Sequence, residues 1–169
     1  FLNCETGIYV EADSYSRYGQ QIAILDNGFM NVGVGVHLAG HAASSLNQVS
    51  VSNNAFHEVR TGVYASYLAA SVVSHNAVSR STGNSFDLND CFNVSVFGNA
   101  IDDPGATGLN IATGSKLSVV GNAVHSAAAH GISSTAAQSV FGGNVLTKST
   151  GYGVSATGAG SMVLSNATE

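Results

Sequence analysis

The sequence predicts an all-β solenoid, about seven stacked coils of 22–23 residues joined by a ladder of asparagines. Three observations carry this. An asparagine returns at Asn27, Asn54, Asn76, Asn99, Asn122, Asn144 and Asn166, with spacings of 27, 22, 23, 23, 22 and 22 residues. A glycine-led run returns out of phase with it, as Gly7-Ile8-Tyr9-Val10, Gly35-Val36-His37-Leu38, Gly62-Val63-Tyr64-Ala65 and Gly108-Leu109-Asn110-Ile111. Inside each run apolar residues alternate with period two, the mark of a strand rather than a helix.

Each asparagine closes an apolar-x-apolar strand, as Val49 and Val51 before Asn54 or Val94 and Val96 before Asn99. Parallel coils lie about 4.8 Å apart, so equivalent residues form files. An amide in such a file can bond the amides above and below it, a device known in stacked β-structure. The glycine that opens the next strand implies either a corner with positive φ or close approach of neighbouring coils. Ser85 takes its place in the fourth coil.

Composition fits an elongated coil whose surface is built from Ser, Thr, Asn and Gly. Charged residues are 9% of the chain, against about 25% in an average domain. Five Lys and Arg offer no basic patch for nucleic acid. No run of 18 apolar residues predicts a membrane span. Cys4 and Cys91 fall three coils apart, roughly 14 Å, too far for a disulfide. Residues 1–169 read as a single domain. Neither end shows a polar cap, and solenoids need capped ends, so the expectation is a segment of a longer chain.

Loop lengths separate the first two coils from the rest. From the glycine to the next asparagine there are 20 residues in the first coil, 19 in the second, then 14 or 13. The extra residues lie within 11–20 and 39–48 and are expected to form one wall beside the preceding strand. Longer loops on a rigid scaffold are where function tends to sit.

That strand turns one file outward: Tyr9, His37, Tyr64, Asp87, Asn110, Ser133 and Ser155. A second file holds Glu11, Ala39, Ser66 and Asn89. The first four coils show aromatics, histidine and carboxylates; the last three show small hydroxyls. Aromatic rings suit the apolar face of a sugar, and carboxylates suit its hydroxyls. The candidate catalytic residues are Asp87, His37, Tyr64 and Asp90. The candidate substrate-binding residues are Tyr9, Glu11, Tyr15, Arg17, Tyr18, His41 and Asn110. Arg17 is read as the nearby cation. Hydrolysis needs two carboxyls about 5–9.5 Å apart, for which Asp87 and Asp90 are close in sequence. A lyase or epimerase needs a base such as His37 or Tyr64 and a group that neutralises an acidic sugar.

Two further files act as comparisons. Glu58, Arg80 and Asp103 stack with alternating sign and read as a surface salt-bridge ladder without function. Met30, His57, Ser79, Asp102, His125 and Thr147 hold scattered ligand types, but not on adjacent coils, so no metal or cofactor is expected. On the strand before the asparagine, Ala23, Val72, Val140 and Met162, then Leu25, Phe97, Val120 and Leu164, point outward. This apolar face implies contact with another surface, a further copy of the chain being one.

The repeat, with strands ending Gly-Asn-Ala and starting Gly-apolar-x-apolar, resembles the right-handed parallel β-helix superfamily. That group includes pectate lyases, polygalacturonases, alginate epimerases and bacteriophage tailspikes. The resemblance covers the whole chain. It implies a glycan bound along one sheet, a polysaccharide-degrading hydrolase or lyase, an extracellular or virion-associated setting, and a homotrimer if the protein is a tailspike. The alternative is a non-catalytic glycan-binding or structural segment of a fibre or adhesin. Subfamily signatures are incomplete. Asn89-Asp90-Cys91 echoes part of the polygalacturonase pattern, but Ala129-His130-Gly131 is not Gly-His-Gly and no Arg-x-Lys occurs. Asp103-Pro104-Gly105 lacks the histidine of the epimerase pattern.

Overall fold

A computed structural model describes residues 1–12 and 21–169. Three seven-stranded parallel sheets run the length of the molecule, and every strand pairs with its equivalents one coil away. Sheet 1 holds the glycine-led strands, from Thr6–Glu11, Val34–Ala39 and Thr61–Ser66 through Phe86–Asn89 to Val154–Ala156. Sheet 2 holds the strands that approach the asparagine, from Ile22–Leu25 to Met162–Leu164. Sheet 3 follows the asparagine, from Gly28–Met30 to Ala167–Thr168. A four-stranded sheet of two-residue strands, Leu46–Asn47, Leu68–Ala69, Cys91–Phe92 and Gly114–Ser115, lines the corner after sheet 1. The parallel β-helix expected from the repeat is the fold.

The asparagines stand in one file. Each side-chain amide donates to the Oδ1 of the next asparagine at 2.8–3.1 Å. That same Oδ1 also accepts the backbone N–H of the asparagine before it, at 3.0–3.1 Å. From Asn54 onward the amide also reaches back to a carbonyl of the preceding coil, Ile24 for Asn54 and Val73 for Asn99. One buried amide therefore ties three coils together. The corner exists because the residue before every ladder asparagine is left-handed: Asp26, Asn53, His75, Gly98, Gly121, Gly143 and Ser165 have φ between 45° and 63°. Asn, Asp, His and Gly tolerate that conformation best.

The core is a stack of like side chains. Phe29 and Phe56 stack at 4.7 Å with rings 8° from parallel, and Phe1 continues the stack at 4.9 Å. Farther along, Val78, Ile101, Val124 and Leu146 occupy the same buried file. These rings explain the first two glycines of sheet 1, Gly7 and Gly35, and Val124 and Leu146 crowd Gly108 and Gly131 in the same way. A Cβ on Gly7 would lie 2.6 Å from Cδ1 of Phe29 and 2.7 Å from the carbonyl oxygen of Gly35. Close approach, not positive φ, is the reason for glycine there. Gly62 is looser, with its nearest contact at 3.1 Å from the carbonyl oxygen of Ser85, and the next coil accepts Ser85 itself, buried and bonded to the Ser81 hydroxyl at 2.8 Å.

Two of the expected files differ from their reading. Glu58, Arg80 and Asp103 occupy a left-handed corner, φ 52–54°. Arg80 pairs with Glu58 at 3.1 Å, but its other nitrogen lies 3.3 Å from Nε2 of His57 rather than on Asp103, so the ladder is a single pair. The outward face of sheet 2 is not continuously apolar. Ser50, Ser95 and Ser118 share the file of Val72, and Ser52 and Ser74 share the file of Phe97. Ser52 and Ser74 bond each other at 2.9 Å. Cys4 and Cys91 are both free thiols.

Candidate functional site

Sheet 1 aligns the expected outward file in register: Tyr9 with His37, His37 with Tyr64, Tyr64 with Asp87, Asp87 with Asn110. The alternation that buries Val36, Leu38, Val63 and Ala65 forces these side chains out. Three rings interlock edge to face. Tyr9 and His37 have centroids 4.9 Å apart at 81°, and His37 and Tyr64 are 4.9 Å apart at 85°. The imidazole is thus clamped between two phenol rings, a favourable aromatic geometry. Burial there lowers the pKa of His37, and the negative charge of Glu11 opposes this only in part. Glu11 accepts a hydrogen bond from Tyr9, which raises the phenol's pKa.

Asp87 continues the file differently. Its Oδ1 accepts the Asn110 amide at 2.8 Å and its Oδ2 accepts the Asn84 amide at 3.5 Å. Asn84 is fixed in turn by the backbone N–H of Thr107, 3.1 Å from its Oδ1. Asp90 lies past the end of that strand, on a left-handed corner with φ 50°, its backbone N–H on the Thr113 hydroxyl at 2.9 Å. The two aspartates therefore sit on different elements, and no hydrogen bond joins them among the described residues.

The second insertion resolves into a tight turn. His41 and Ser44 exchange backbone hydrogen bonds at 3.0 and 2.9 Å, and Nδ1 of His41 accepts the N–H of Ala43 at 3.3 Å. His41 caps its own turn, at an exposed position beyond sheet 1. Tyr15, Arg17 and Tyr18, from the first insertion, lie outside the described residues.

One group was missed. Arg60, at the corner that leads into sheet 1, lines a concavity of about 440 Å3 with Glu5, Val34, His37, Tyr64 and Ser66. Its guanidinium pairs with Glu5 at 3.2 Å. The sequence signal was present, because Arg60 stands two residues before Gly62, but the partner lies 55 positions away and nothing local points to it. The concavity brings together a clamped imidazole, a phenol, a hydroxyl and a cation.

A second depression, of about 450 Å3, lies on sheet 3 over Ala55, Ala77, Ala100 and Ala123. Its rim carries two imidazoles tied to hydroxyls, His57 to Ser79 at 2.8 Å and His125 to Thr147 at 2.7 Å. The floor is methyl groups. Asp102 and His125 do stand on adjacent coils, against the expectation from the sequence, but no set of three His, Cys, Asp or Glu among the described residues is placed to hold a metal ion. The candidate site is the concavity on sheet 1, where polar groups converge with a cation.

A family model described as the right-handed β-helix region matches residues 1–168. No curated protein matches the chain. Among solved structures, the chain is similar to the crystal structure of the periplasmic alginate epimerase AlgG, with a TM-score of 0.63 and 14% identity. The match covers 87% of this chain and 44% of that one, so the chain spans less than half the length of that protein.

Proposed function

The chain belongs to the right-handed β-helix family, and from that premise we propose that it binds a polysaccharide along sheet 1 and cleaves it. The observation that carries the reading is the concavity where His37, Tyr64 and Arg60 meet. Among polysaccharide-cleaving reactions this set favours elimination. The carboxylate of an acidic sugar would face Arg60, whose guanidinium matches it as a two-donor fork. A base then removes the proton next to that carboxylate, and the sugar–oxygen bond on the following carbon breaks, leaving a double bond. His37 suits the base. Its lowered pKa favours the neutral imidazole, and Tyr64, packed against it, would hand a proton to the departing oxygen. Hydrolysis by Asp87 and Asp90 is less well supported, because Asp87 already has both oxygens engaged by Asn110 and Asn84. The AlgG likeness supports a carbohydrate setting only at the level of fold. A tailspike or a secreted bacterial enzyme, outside the cell and trimeric in the first case, is the context we assign.

The same two bonds at Asp87 favour a second reading, a glycan-binding module without catalysis. The readings separate when the protein is incubated with a polysaccharide panel while absorbance of unsaturated sugars and reducing ends are followed. Unsaturated product that disappears in His37→Ala supports the lyase. Reducing ends without the new absorbance favour hydrolysis. Bound glycan without product leaves the module.

A further inference from the structure

We infer that the glycan enters this site through an anionic substituent seated on Arg60, and that Glu5 is the internal counterion this substituent must displace. The inference rests on the glycan reading of sheet 1 and adds the residue that guards Arg60 against other anions.

Glu5, Gly33 and Arg60 form one file at the corner before sheet 1. The N–H of Val34 donates to the carbonyl of Glu5, and the N–H groups of Arg60 and Thr61 donate to the carbonyl of Gly33. Glu5 and Arg60 are thus two coils apart, roughly 10 Å along the axis. Their side chains nonetheless meet at 3.2 Å. The bridge passes over Gly33, where a Cβ would lie 3.0 Å from both Cδ and Oε1 of Glu5 and 2.6 Å from its carbonyl oxygen. Glycine clears the path for a contact that skips a coil.

The pair is open to water, with 59% of the Arg60 side chain and 82% of the Glu5 side chain exposed. An ion pair this exposed is weak, so it does little to fasten the coil and opens at small cost. It does occupy the guanidinium beside His37 and Tyr64. A carboxylate or sulfate on a sugar would accept the same N–H groups as Glu5, so the two exclude each other. A small free anion brings only its charge to that competition. A sugar also brings ring contact with Tyr64 and a hydroxyl partner in Ser66. Glu5 therefore raises the threshold for anions generally while an acidic glycan still gets through.

Calorimetric titration at low salt tests this with three probes: polygalacturonate for carboxylate, a sulfated galactan for sulfate, and a neutral glucan. Wild type should bind one of the anionic probes, and which one identifies the substituent. Glu5→Gln should tighten that probe about two- to five-fold, the size expected for releasing an exposed ion pair. Arg60→Gln should weaken it at least as much. Asp26→Asn, which removes the same charge at the corner between sheets 2 and 3, should tighten it clearly less than Glu5→Gln does. An anionic probe that loses affinity in Arg60→Gln yet is not tightened by Glu5→Gln overturns the role of Glu5. A neutral probe that binds through Tyr64, losing affinity in Tyr64→Ala but not in Arg60→Gln, overturns the inference and the elimination with it, and leaves glycan binding at sheet 1 standing. No binding of any probe by any variant removes both.

Discussion

Removing the amide of Asn99 strands two donors at once. Its Oδ1 accepts both the backbone N–H and the side-chain amide of Asn76, and the Val73 carbonyl loses its own donor as well. Each orphaned buried group costs about 1–3 kcal/mol, so Asn99→Ala should lose roughly 3 kcal/mol or more in urea unfolding. Asn27 is only partly buried and its side-chain oxygen serves no neighbouring asparagine, so Asn27→Ala should lose less than about 1 kcal/mol. Equal losses would mean that the ladder is not what holds the corner. Cys91 gives a second residue-level test. Burial pushes its thiol up to about 11, so at pH 8 a thiol reagent should modify Cys4 and reach Cys91 only on unfolding. His37 gives a third. Its folded pKa lies below the ordinary value of about 6.5, so the unfolded chain takes up the proton first. The stability it contributes is full above that value and is lost as pH falls through the folded pKa. His37→Gln should flatten the slope of stability below pH 6.5, and an unchanged slope would place the proton uptake elsewhere.

At the scale of the strand, the glycines of sheet 1 are not equivalent. A Cβ on Gly35 would meet the carbonyl oxygen of Gly62 at 2.7 Å and the ring of Phe56 closer still, whereas one on Gly62 meets nothing nearer than 3.1 Å. Gly35→Ala should therefore unfold at clearly lower urea than Gly62→Ala, by an overpacking cost of about 1–3 kcal/mol. The same contrast shows what the sequence made readable. The period located both strands and the ladder, because a residue that stacks on its own equivalent must recur at the period. The outward file from Tyr9 to Asn110 followed from alternation alone. What escaped depends on contacts between unlike residues in different coils. The glycines recur visibly, but the side chains that require them sit on another sheet, Phe29 for Gly7 and Phe56 for Gly35. Arg60 carries no local sign of its role, because its partner, Glu5, is two coils away and reaches it across Gly33. A file of alternating charges need not pair down its length, because Arg80, bound to Glu58, has His57 rather than Asp103 within reach.

Over the whole molecule, charge is scarce and mostly negative, with ten Asp and Glu against five Lys and Arg. The ion pairs among the described residues all lie at the surface, where salt screens what little they contribute. Stability resting on stacked amides and a buried aliphatic file should be nearly indifferent to salt. Binding should not be. An acidic glycan approaching a chain of net charge −5 meets a repulsion summed over the molecule, and at the site an attraction from Arg60. These act over different distances. The screening length is about 30 Å at 0.01 M salt, about 10 Å at 0.1 M and about 3 Å at 1 M. The first tenfold rise in salt removes the distant carboxylates from the balance and leaves a contact of salt-bridge length almost untouched; the second weakens the contact itself. Affinity for an acidic glycan should therefore rise between about 0.01 and 0.1 M salt and fall toward 1 M, while the urea midpoint stays level and a neutral glycan shows no maximum. In Arg60→Gln the falling limb should vanish, because only the repulsion remains to be screened. A steady decline from the lowest salt, in wild type and variant alike, would place the anion somewhere other than Arg60.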